Sequence, residues 1–473
     1  MATAQDLRIA VVMVGLPARG KTFIAHKVRR YLTWLGINTN VFNVGNYRRE
    51  RVGPEVRHTF FQTDNEEAMA QRQRAAKDAL KDMLQWFDEG GTVAIYDGTN
   101  GTKARRSWLY HELTSHHIEV LFVESICEDK DIILKNIKDV KLTAPEYAGI
   151  DPDVAAEDFR KRIEHYQAAY ETICQKEEDE YTYIKMINVG SQYIINRIRG
   201  YLESKIVSYL MNLHIRPKRI WFSRHGESMF NVQGKIGGDA DLSPRGQQYA
   251  AKLPDLIKRE LGDRPLSVWT SSMKRTIQTA QNLKYPKLHW KALDELDTGV
   301  CDGMTYEEIE EKYPEDFARR DEDKFNYRYR GGESYRDLVL RLEPVIMELE
   351  RHENILIIAH QATIRCMYAY FMNMTHDELP YAPIPLHTVI ELTPKAYGCT
   401  QRLYRVDIEA VNTYRPRVPQ RISQLRESEG QQQSGLGASG EIADSAQPIL
   451  PLSPKLVPKN SPTSSSAPAK THS

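Results

Sequence analysis

Two short stretches carry residue types suited to handling phosphate. Gly15-Leu16-Pro17-Ala18-Arg19-Gly20-Lys21-Thr22 follows an apolar run from Arg8 to Val14 and precedes a helical pattern that continues to Leu35. In this GxxxxGK[ST] arrangement the glycines let backbone amides turn toward phosphate. Lys21 is then expected to reach the β and γ phosphates of a nucleotide, and the Thr22 hydroxyl to bind Mg²⁺. The second stretch, Ile220 to Ser228 (IWFSRHGES), is a β-prone run ending in Arg224, His225, Gly226 and Glu227. A neutral imidazole can attack phosphorus, an adjacent guanidinium can grip phosphoryl oxygens in a fork, and glycine lets a bulky anion approach the backbone.

Partners for the second stretch lie downstream. Ile355 to His360 (ILIIAH) is another apolar strand ending on a histidine, and Lys274-Arg275-Thr276 follows a strand candidate from Leu266 to Thr270. Asp294, Glu295 and Asp297 add carboxylates. This ordered set resembles the histidine phosphatase (phosphoglycerate mutase-like) superfamily.

The elements that must position the first motif alternate strand and helix. Asn40 to Val44 reads as extended, with Arg48 and Arg49 just beyond it as clamps for a second, phosphorylated substrate. Ala76, Leu80, Met83 and Phe87 recur at helical spacing between Glu66 and Phe87, and Arg72 rides on that helix. Thr92 to Tyr96 is a buried strand ending in Asp97, the position of a Walker B acid; Thr99, Lys103, Arg105 and Arg106 occupy the loop after it. Val120 to Ser125 is a further strand with Cys127 past its end, Ile132 to Val140 reads as helix, and Lys141 follows. Phe159, Ile163, Tyr166 and Tyr170 mark an amphipathic helix on which Arg162 and Tyr166 share a face suited to a sugar phosphate. Tyr181 to Val189 is read as the last strand and Ser191 to Leu213 as a helix. Together these predict a nucleotide-binding α/β domain with a P-loop NTPase-like parallel sheet, about 200 residues long. The short joint Arg216-Pro217-Lys218 predicts that it packs against the next domain.

The 473 residues suffice for two or three domains, and 64 basic residues balance 64 acidic ones, which argues against a general polyanion or nucleic-acid binder. Cys127, Cys174, Cys301, Cys366 and Cys399 lack metal-ligand spacing, and their odd number suits a reducing, cytoplasmic compartment. No apolar run approaches the length of a membrane span.

Over the whole length GLPARGKT, YRRE, YDGTN, VKL, IWFSRHGES, IGGD, WTSSMKRTIQTA, GGESYRDLV, RLEPVIMELE and PLHTV occur in an order that resembles the 6-phosphofructo-2-kinase/fructose-2,6-bisphosphatase family. The resemblance implies a homodimer that makes fructose 2,6-bisphosphate from fructose 6-phosphate and ATP in one domain and hydrolyses it in the other, controlling glycolysis. It implies that residues 15–22, Asn136 and Tyr397 contact ATP, with Thr22 and Asp97 at Mg²⁺ and Lys141 at the transferring phosphoryl group. Cys127 matches a cysteine treated as an active-site residue, although a thiol has no evident role in this transfer. Fructose 6-phosphate would meet Arg48, Arg49, Arg72, Thr99, Arg105, Arg162 and Tyr166. In the second domain His225 would form a phosphohistidine, with Arg224, Arg275 and His360 on the phosphoryl oxygens and Glu295 protonating the leaving oxygen. Asn231, Gly237, Tyr306, Arg320, Lys324, Tyr335, Gln361 and Arg365 would bind the sugar bisphosphate; Arg320 and Lys324 share a helical spacing. Departures are Lys103 in place of an arginine, extra glycines at Gly98 and Gly101, Ser223 in place of cysteine, and Cys301-Asp302-Gly303 in place of an acidic pair.

The expected organisation is a kinase domain at 1–216, a histidine phosphatase-type α/β domain at 217–415 and a disordered tail at 416–473. The tail is poor in groups that could bury surface and carries Ser423, Ser453-Pro454 and Ser461-Pro462 as candidate sites for regulatory protein kinases. Two alternatives stay open on sequence: another P-loop kinase and histidine phosphatase fusion, and a catalytically inactive scaffold.

Overall fold

In the computed structural model, residues 7–54, 56–62, 64–138, 147, 149–214, 218–395 and 398–417 are described. The first lobe comprises β1 (Ile9–Val14), α1 (Lys21–Trp34), β2 (Thr39–Asn43), α2 (Val44–Val52), α3 (Glu66–Asp88), β3 (Val93–Asp97), α4 (Lys103–Ser115), β4 (Glu119–Ile126), α5 (Lys130–Asn136), α6 (Pro152–Ala168), β5 (Thr182–Ile187), β6 (Gln192–Asn196) and α7 (Tyr201–Asn212). β1 and β3 are buried at every position, as central strands covered by helices on both faces must be. Helix starts are set by side chains that accept otherwise unpaired amides: Asn43 for α2, Asn65 for α3, Thr102 for α4 and Asp151 for α6. The sheet order is β2-β3-β1-β4-β5-β6. Strands β2 to β5 and β1 run parallel, so the carboxyl ends of β1, β3 and β4 open on one edge, where α/β sheets bind ligands.

The sheet is mixed, not wholly parallel, and the stretch predicted as one helix from Ser191 to Leu213 divides into β6 and α7. Asn188, Val189 and Gly190 all have positive φ and turn the chain back, so Gln192–Asn196 pairs antiparallel with β5. The cause lies in the turn and in the β-prone Tyr193-Ile194-Ile195 run, which outweigh the helical spacing further on.

The second lobe comprises β7 (Arg219–Arg224), α8 (Met229–Val232), α9 (Pro244–Leu261), β8 (Ser267–Thr270), α10 (Lys274–Ala280), β9 (Lys287–His289), α11 (Tyr306–Lys312), α12 (Pro314–Glu322), α13 (Tyr335–Arg351), β10 (Asn354–Ala359), α14 (Gln361–Met372), β11 (Thr388–Lys395) and β12 (Gly398–Arg405). Its sheet order is β12-β11-β7-β10-β8-β9, with β7, β10, β8 and β9 parallel. Register is decisive here. Arg224 lies opposite Ala359 across the β7–β10 ladder, and the His225 amide donates to the Ala359 carbonyl at 3.0 Å, so both strands release a histidine at the same level.

A continuous apolar core joins the lobes through α1, α7, α13 and α14. Trp34 Nε1 donates to the Cys366 carbonyl at 2.9 Å, and the Tyr209 and Tyr370 hydroxyls meet at 2.9 Å. At the same junction Lys27 and Arg30 of α1 and Lys218 converge on the buried Glu350 carboxylate of α13. The helix that begins at the phosphate loop is thus anchored in the second lobe.

Candidate active sites

The phosphate loop wraps the carboxyl end of β1. Gly15 has φ +139°, and a Cβ there would stand 2.5 Å from the Ser125 carbonyl oxygen, so the loop crosses β4 at a distance only glycine allows. Gly20, at φ +81°, caps α1, and Ala18 also takes a left-handed conformation at φ +60°. The Arg19 Nε donates to the Cys127 carbonyl at 3.0 Å, the Ser125 hydroxyl donates to the Arg19 carbonyl at 2.6 Å, and Asn136 Nδ2 donates to the Ala18 carbonyl at 3.1 Å. Lys21 Nζ reaches the Leu16 carbonyl at 2.7 Å. Burial lowers the Arg19 pKa, while the Cys127 thiol opposes the shift.

Pro17 to Thr22, Asp97, Cys127 and Asn136 line a cavity of about 1710 Å³; Gly15 and Leu16 shape the loop from behind it. Cys127 thus lines the cavity and meets the nucleotide loop through its carbonyl. Asp97 is buried at the end of β3 and accepts a hydrogen bond from Asn43 Nδ2 at the end of β2, which fixes its orientation. Thr22 and Asp97 offer hard oxygen donors, and no cluster of three His, Cys, Asp or Glu occurs among the described residues. That donor set fits Mg²⁺, which takes few protein oxygens and leans on substrate phosphates.

The same cavity holds Arg48, Arg49, Arg72, Thr99, Arg105, Arg162 and Tyr166. Their organiser is Phe61, which the sequence reading passed over. Its ring lies 3.9 Å from the Arg162 guanidinium, 5.5 Å from Arg48 and 5.9 Å from Arg72, and 5.6 Å from the Tyr166 ring. An aromatic face lets three like charges converge at reduced mutual cost. Arg105 packs on Trp108 at 5.0 Å and donates to Gln73 at 2.6 Å, and burial lowers its pKa. The Thr99 carbonyl accepts from the Gly15 amide at 3.0 Å, linking the sugar side to the nucleotide loop. Lys141 and Tyr397 lie outside the described residues.

In the second lobe His225 is buried between Arg224, Arg275 and His360. Its Nδ1 lies 2.7 Å from the Gly226 carbonyl oxygen. A carbonyl only accepts, so Nδ1 carries the proton and Nε2 keeps its lone pair. Burial, then Arg275 and Arg224, hold the His225 pKa well below the usual imidazole range, which favours the neutral form a nucleophile needs. The His360 ring stands 5.2 Å from that of His225, its Nε2 meets the Ser271 hydroxyl at 2.8 Å, and burial likewise lowers its pKa. Burial also drops the Arg224 pKa to about 9 despite the Glu295 charge. Glu295 accepts from the Ala362 amide at 3.2 Å, in the first turn of α14. Its loop is held by Arg341, which reaches the carbonyls of Ala292, Asp294 and Glu295 at 2.9, 3.2 and 3.3 Å.

A cavity of about 280 Å³ opens beside His225 and is lined by Asn231, Gly237, Arg275, Glu295, Tyr306, Arg320, Lys324, Tyr335, Gln361 and Arg365. Arg320 donates to the hydroxyls of Tyr329 and Tyr306 at 2.9 and 3.2 Å, and Arg365 to that of Tyr335 at 3.2 Å. Lys324 lies beyond the end of α12, so its pairing with Arg320 is not a helical one; Asp323 has already left helical geometry. Its ammonium sits 4.5 Å from the Tyr381 ring, and burial beside Arg320 and Arg365 lowers its pKa to about 6. Glu227, by contrast, is structural: its carboxylate takes the Ser243 hydroxyl, Arg245 Nε and the Val411 amide at 2.7, 2.9 and 2.9 Å.

The buried atoms Arg162 Nε, Arg224 Nε and His360 Nδ1 have no hydrogen-bond partner among the described residues. Buried polar atoms are nearly always paired, and a phosphate oxygen is the acceptor that would complete the two guanidinium nitrogens, and His360 Nδ1 in the tautomer that carries its proton there.

Two family models match the chain. The 6-phosphofructo-2-kinase family model matches residues 1–217, and that of the histidine phosphatase superfamily (branch 1) matches 220–407. The chain is 52% identical over 425 residues to a fructose-2,6-bisphosphatase of Saccharomyces cerevisiae, covering 89% of this chain and 94% of that one. It is 53% identical over 407 residues to a 6-phosphofructo-2-kinase/fructose-2,6-bisphosphatase of Aquarana catesbeiana, covering 86% of each. With the human 6-phosphofructo-2-kinase/fructose-2,6-bisphosphatase 1 it shares 51% over 420 residues, 89% of this chain and 88% of that one. A phosphate-loop lobe and a histidine nucleophile lobe in one chain, with this extent of identity, place the protein in the 6-phosphofructo-2-kinase/fructose-2,6-bisphosphatase family.

Proposed function

We propose that the first lobe transfers the γ-phosphoryl group of ATP to the 2-hydroxyl of fructose 6-phosphate and that the second lobe removes it again, the pair setting the level of a regulator of glycolysis. The observation that carries the reading is the coexistence of two phosphate sites, each with a buried guanidinium nitrogen that has no partner among the described residues: Arg162 Nε in one lobe and Arg224 Nε in the other.

In the synthetic direction the amides at the start of α1 hold the nucleotide phosphates, and Lys21 moves from the Leu16 carbonyl to the β and γ oxygens. The arginines around Phe61 fix the sugar phosphate so that its hydroxyl meets the γ phosphorus in line. Thr22 and Asp97 would hold Mg²⁺, which neutralises charge on the phosphate oxygens. Lys141 is assigned to the transferring group on the sequence resemblance alone.

In the hydrolytic direction Nε2 of His225 attacks the phosphorus on the sugar's second oxygen. The N–P bond forms as the P–O bond breaks, Arg224, Arg275 and His360 hold the oxygens, and a proton from Glu295 reaches the departing oxygen. The Ala362 amide at the start of α14 holds the Glu295 carboxyl in place for that transfer. Water then attacks the phosphohistidine and returns its proton to Glu295, freeing phosphate and neutral His225. We further propose a cytoplasmic homodimer whose tail is a target of protein kinases; Ser423, Ser453 and Ser461 lie outside the described residues.

The test uses Lys21→Ala and His225→Asn. With ATP-Mg²⁺ and fructose 6-phosphate, the first variant is expected to lose synthesis and keep hydrolysis. The second is expected to keep synthesis and lose both hydrolysis and the acid-labile label acquired from 2-labelled bisphosphate. Undiminished synthesis in the first, or labelling in the second, refutes the assignment.

A further inference from the structure

The histidine phosphatase match ends at residue 407, yet the chain continues along the wall of the hydrolytic cavity. This segment is pinned at successive points. The His387 Nδ1–H donates to the Ile408 carbonyl at 3.1 Å, while its Nε2 accepts the Glu227 amide at 3.0 Å. The Val411 amide donates to Glu227 Oε2 at 2.9 Å, and Arg224 Nη1 donates to the Thr413 hydroxyl at 2.7 Å. Both residues that flank the His225-Gly226 pair are therefore held by a stretch of chain that lies beyond the matched phosphatase region.

We propose that residues 411–415 form a strap that makes the hydrolytic site selective for a bisphosphate: Arg415 binds the phosphate distal to the reacting one, and Thr413 positions Arg224. Arg415 stacks on the Tyr306 ring at 3.9 Å, and Arg320 lies 4.9 Å from the same ring. Tyr306 thus joins one guanidinium from α12 to one from the strap, and Lys324 lines the same cavity. The two guanidiniums are suited to a second dianionic group, which a monophosphate ester lacks. Arg415 is free to serve. Its ion pair with Glu307 at 3.0 Å joins side chains that are 45% and 77% exposed, and such a pair gives way to a phosphate at little cost. Thr413 and the Ile384 carbonyl together occupy Arg224 Nη1, which orients the guanidinium and leaves Nε for the reacting phosphate.

The inference rests on the bisphosphate reading above, and the experiment separates the two. Full-length wild type, Arg415→Ala, Arg415→Lys, Thr413→Val and Thr413→Ser are compared in hydrolysis of fructose 2,6-bisphosphate and of p-nitrophenyl phosphate, with melting temperature as a check on folding. Arg415→Ala is expected to lower the ratio of kcat/KM for the bisphosphate over that for p-nitrophenyl phosphate by about tenfold or more, mainly through KM, and Arg415→Lys to recover part of it. Thr413→Val is expected to lower kcat on both substrates, and Thr413→Ser to restore it. An unchanged ratio in Arg415→Ala, or failure of Thr413→Ser to rescue, overturns the strap. Wild-type protein that turns over p-nitrophenyl phosphate but not the bisphosphate overturns the substrate reading, and the strap's role with it.

Discussion

Replacing Glu350 by Gln tests whether the lobe junction is held by charge. Its carboxylate is fully buried and accepts from Lys27 Nζ at 2.9 Å, Arg30 Nη2 at 3.1 Å, Lys218 Nζ at 2.9 Å and the Tyr370 hydroxyl at 2.7 Å. The amide keeps the shape but removes the negative charge, leaving Arg30 and Lys218 buried without their counter-charge and Lys27 without the group that holds its proton. Breaking a buried pair from one side costs about 3–5 kcal/mol. In urea that is a fall in the unfolding midpoint of about 1 M or more for a lobe of this size. Lys27→Met gives the opposite expectation. Burial, with Arg30 and Lys218 nearby, brings the Lys27 pKa down to about 7, so its charge is a surplus that the site already resists. Arg30 and Lys218 still satisfy Glu350 in that variant, and the midpoint is expected to move by the equivalent of about 1 kcal/mol or less. Equal destabilisation by the two variants, or none from Glu350→Gln, refutes the argument that one carboxylate organises the junction.

Three further expectations follow from the site geometry. His225 and His360 both have lowered folded-state pKa values, so as pH falls below about 6.5 the unfolded chain gains protons that the folded one does not. Stability from this pair is therefore present above that pH and is lost below it, by up to about 1.4 kcal/mol per pH unit per histidine; in urea titrations between pH 7 and 5 His360→Gln should lose about half of this slope, the share of one histidine. Lys324, with its pKa near 6, is mostly neutral at pH 7 until an anion binds, so binding of the bisphosphate takes up a proton. Its KM should rise as pH climbs above 6, and Lys324→Met should flatten that rise. Phe61→Leu removes the ring beneath Arg48, Arg72 and Arg162, and should raise KM for fructose 6-phosphate severalfold while KM for ATP moves little.

Some signals of each site are local and were readable from the chain alone. The glycines at 15 and 20 and the lysine at 21 serve one loop whose shape follows from its own residues. His225 and His360 each end an apolar run, and a strand-terminal position carries its meaning in the sequence. The two histidines become neighbours only because β7 and β10 are adjacent and in register, a pairing between segments far apart in the chain. The same holds for supporting groups with no motif of their own: Asn43 on Asp97, Ser271 on His360, Phe61 among its arginines and Thr413 on Arg224. β6 was misread because the turn that begins it outweighs helical spacing only when β5 is there to pair with.

The order of chemical groups along the chain, and hence the kinds of reaction open to it, were determined by the sequence. Which groups are neutral, which are held in place and which lobe steadies the other were decided by tertiary structure. The physical reason is that burial and opposing charge set proton affinity and orientation, and both come from residues distant in the chain, as Arg275 and Arg224 do for His225 and Glu350 does for Lys27.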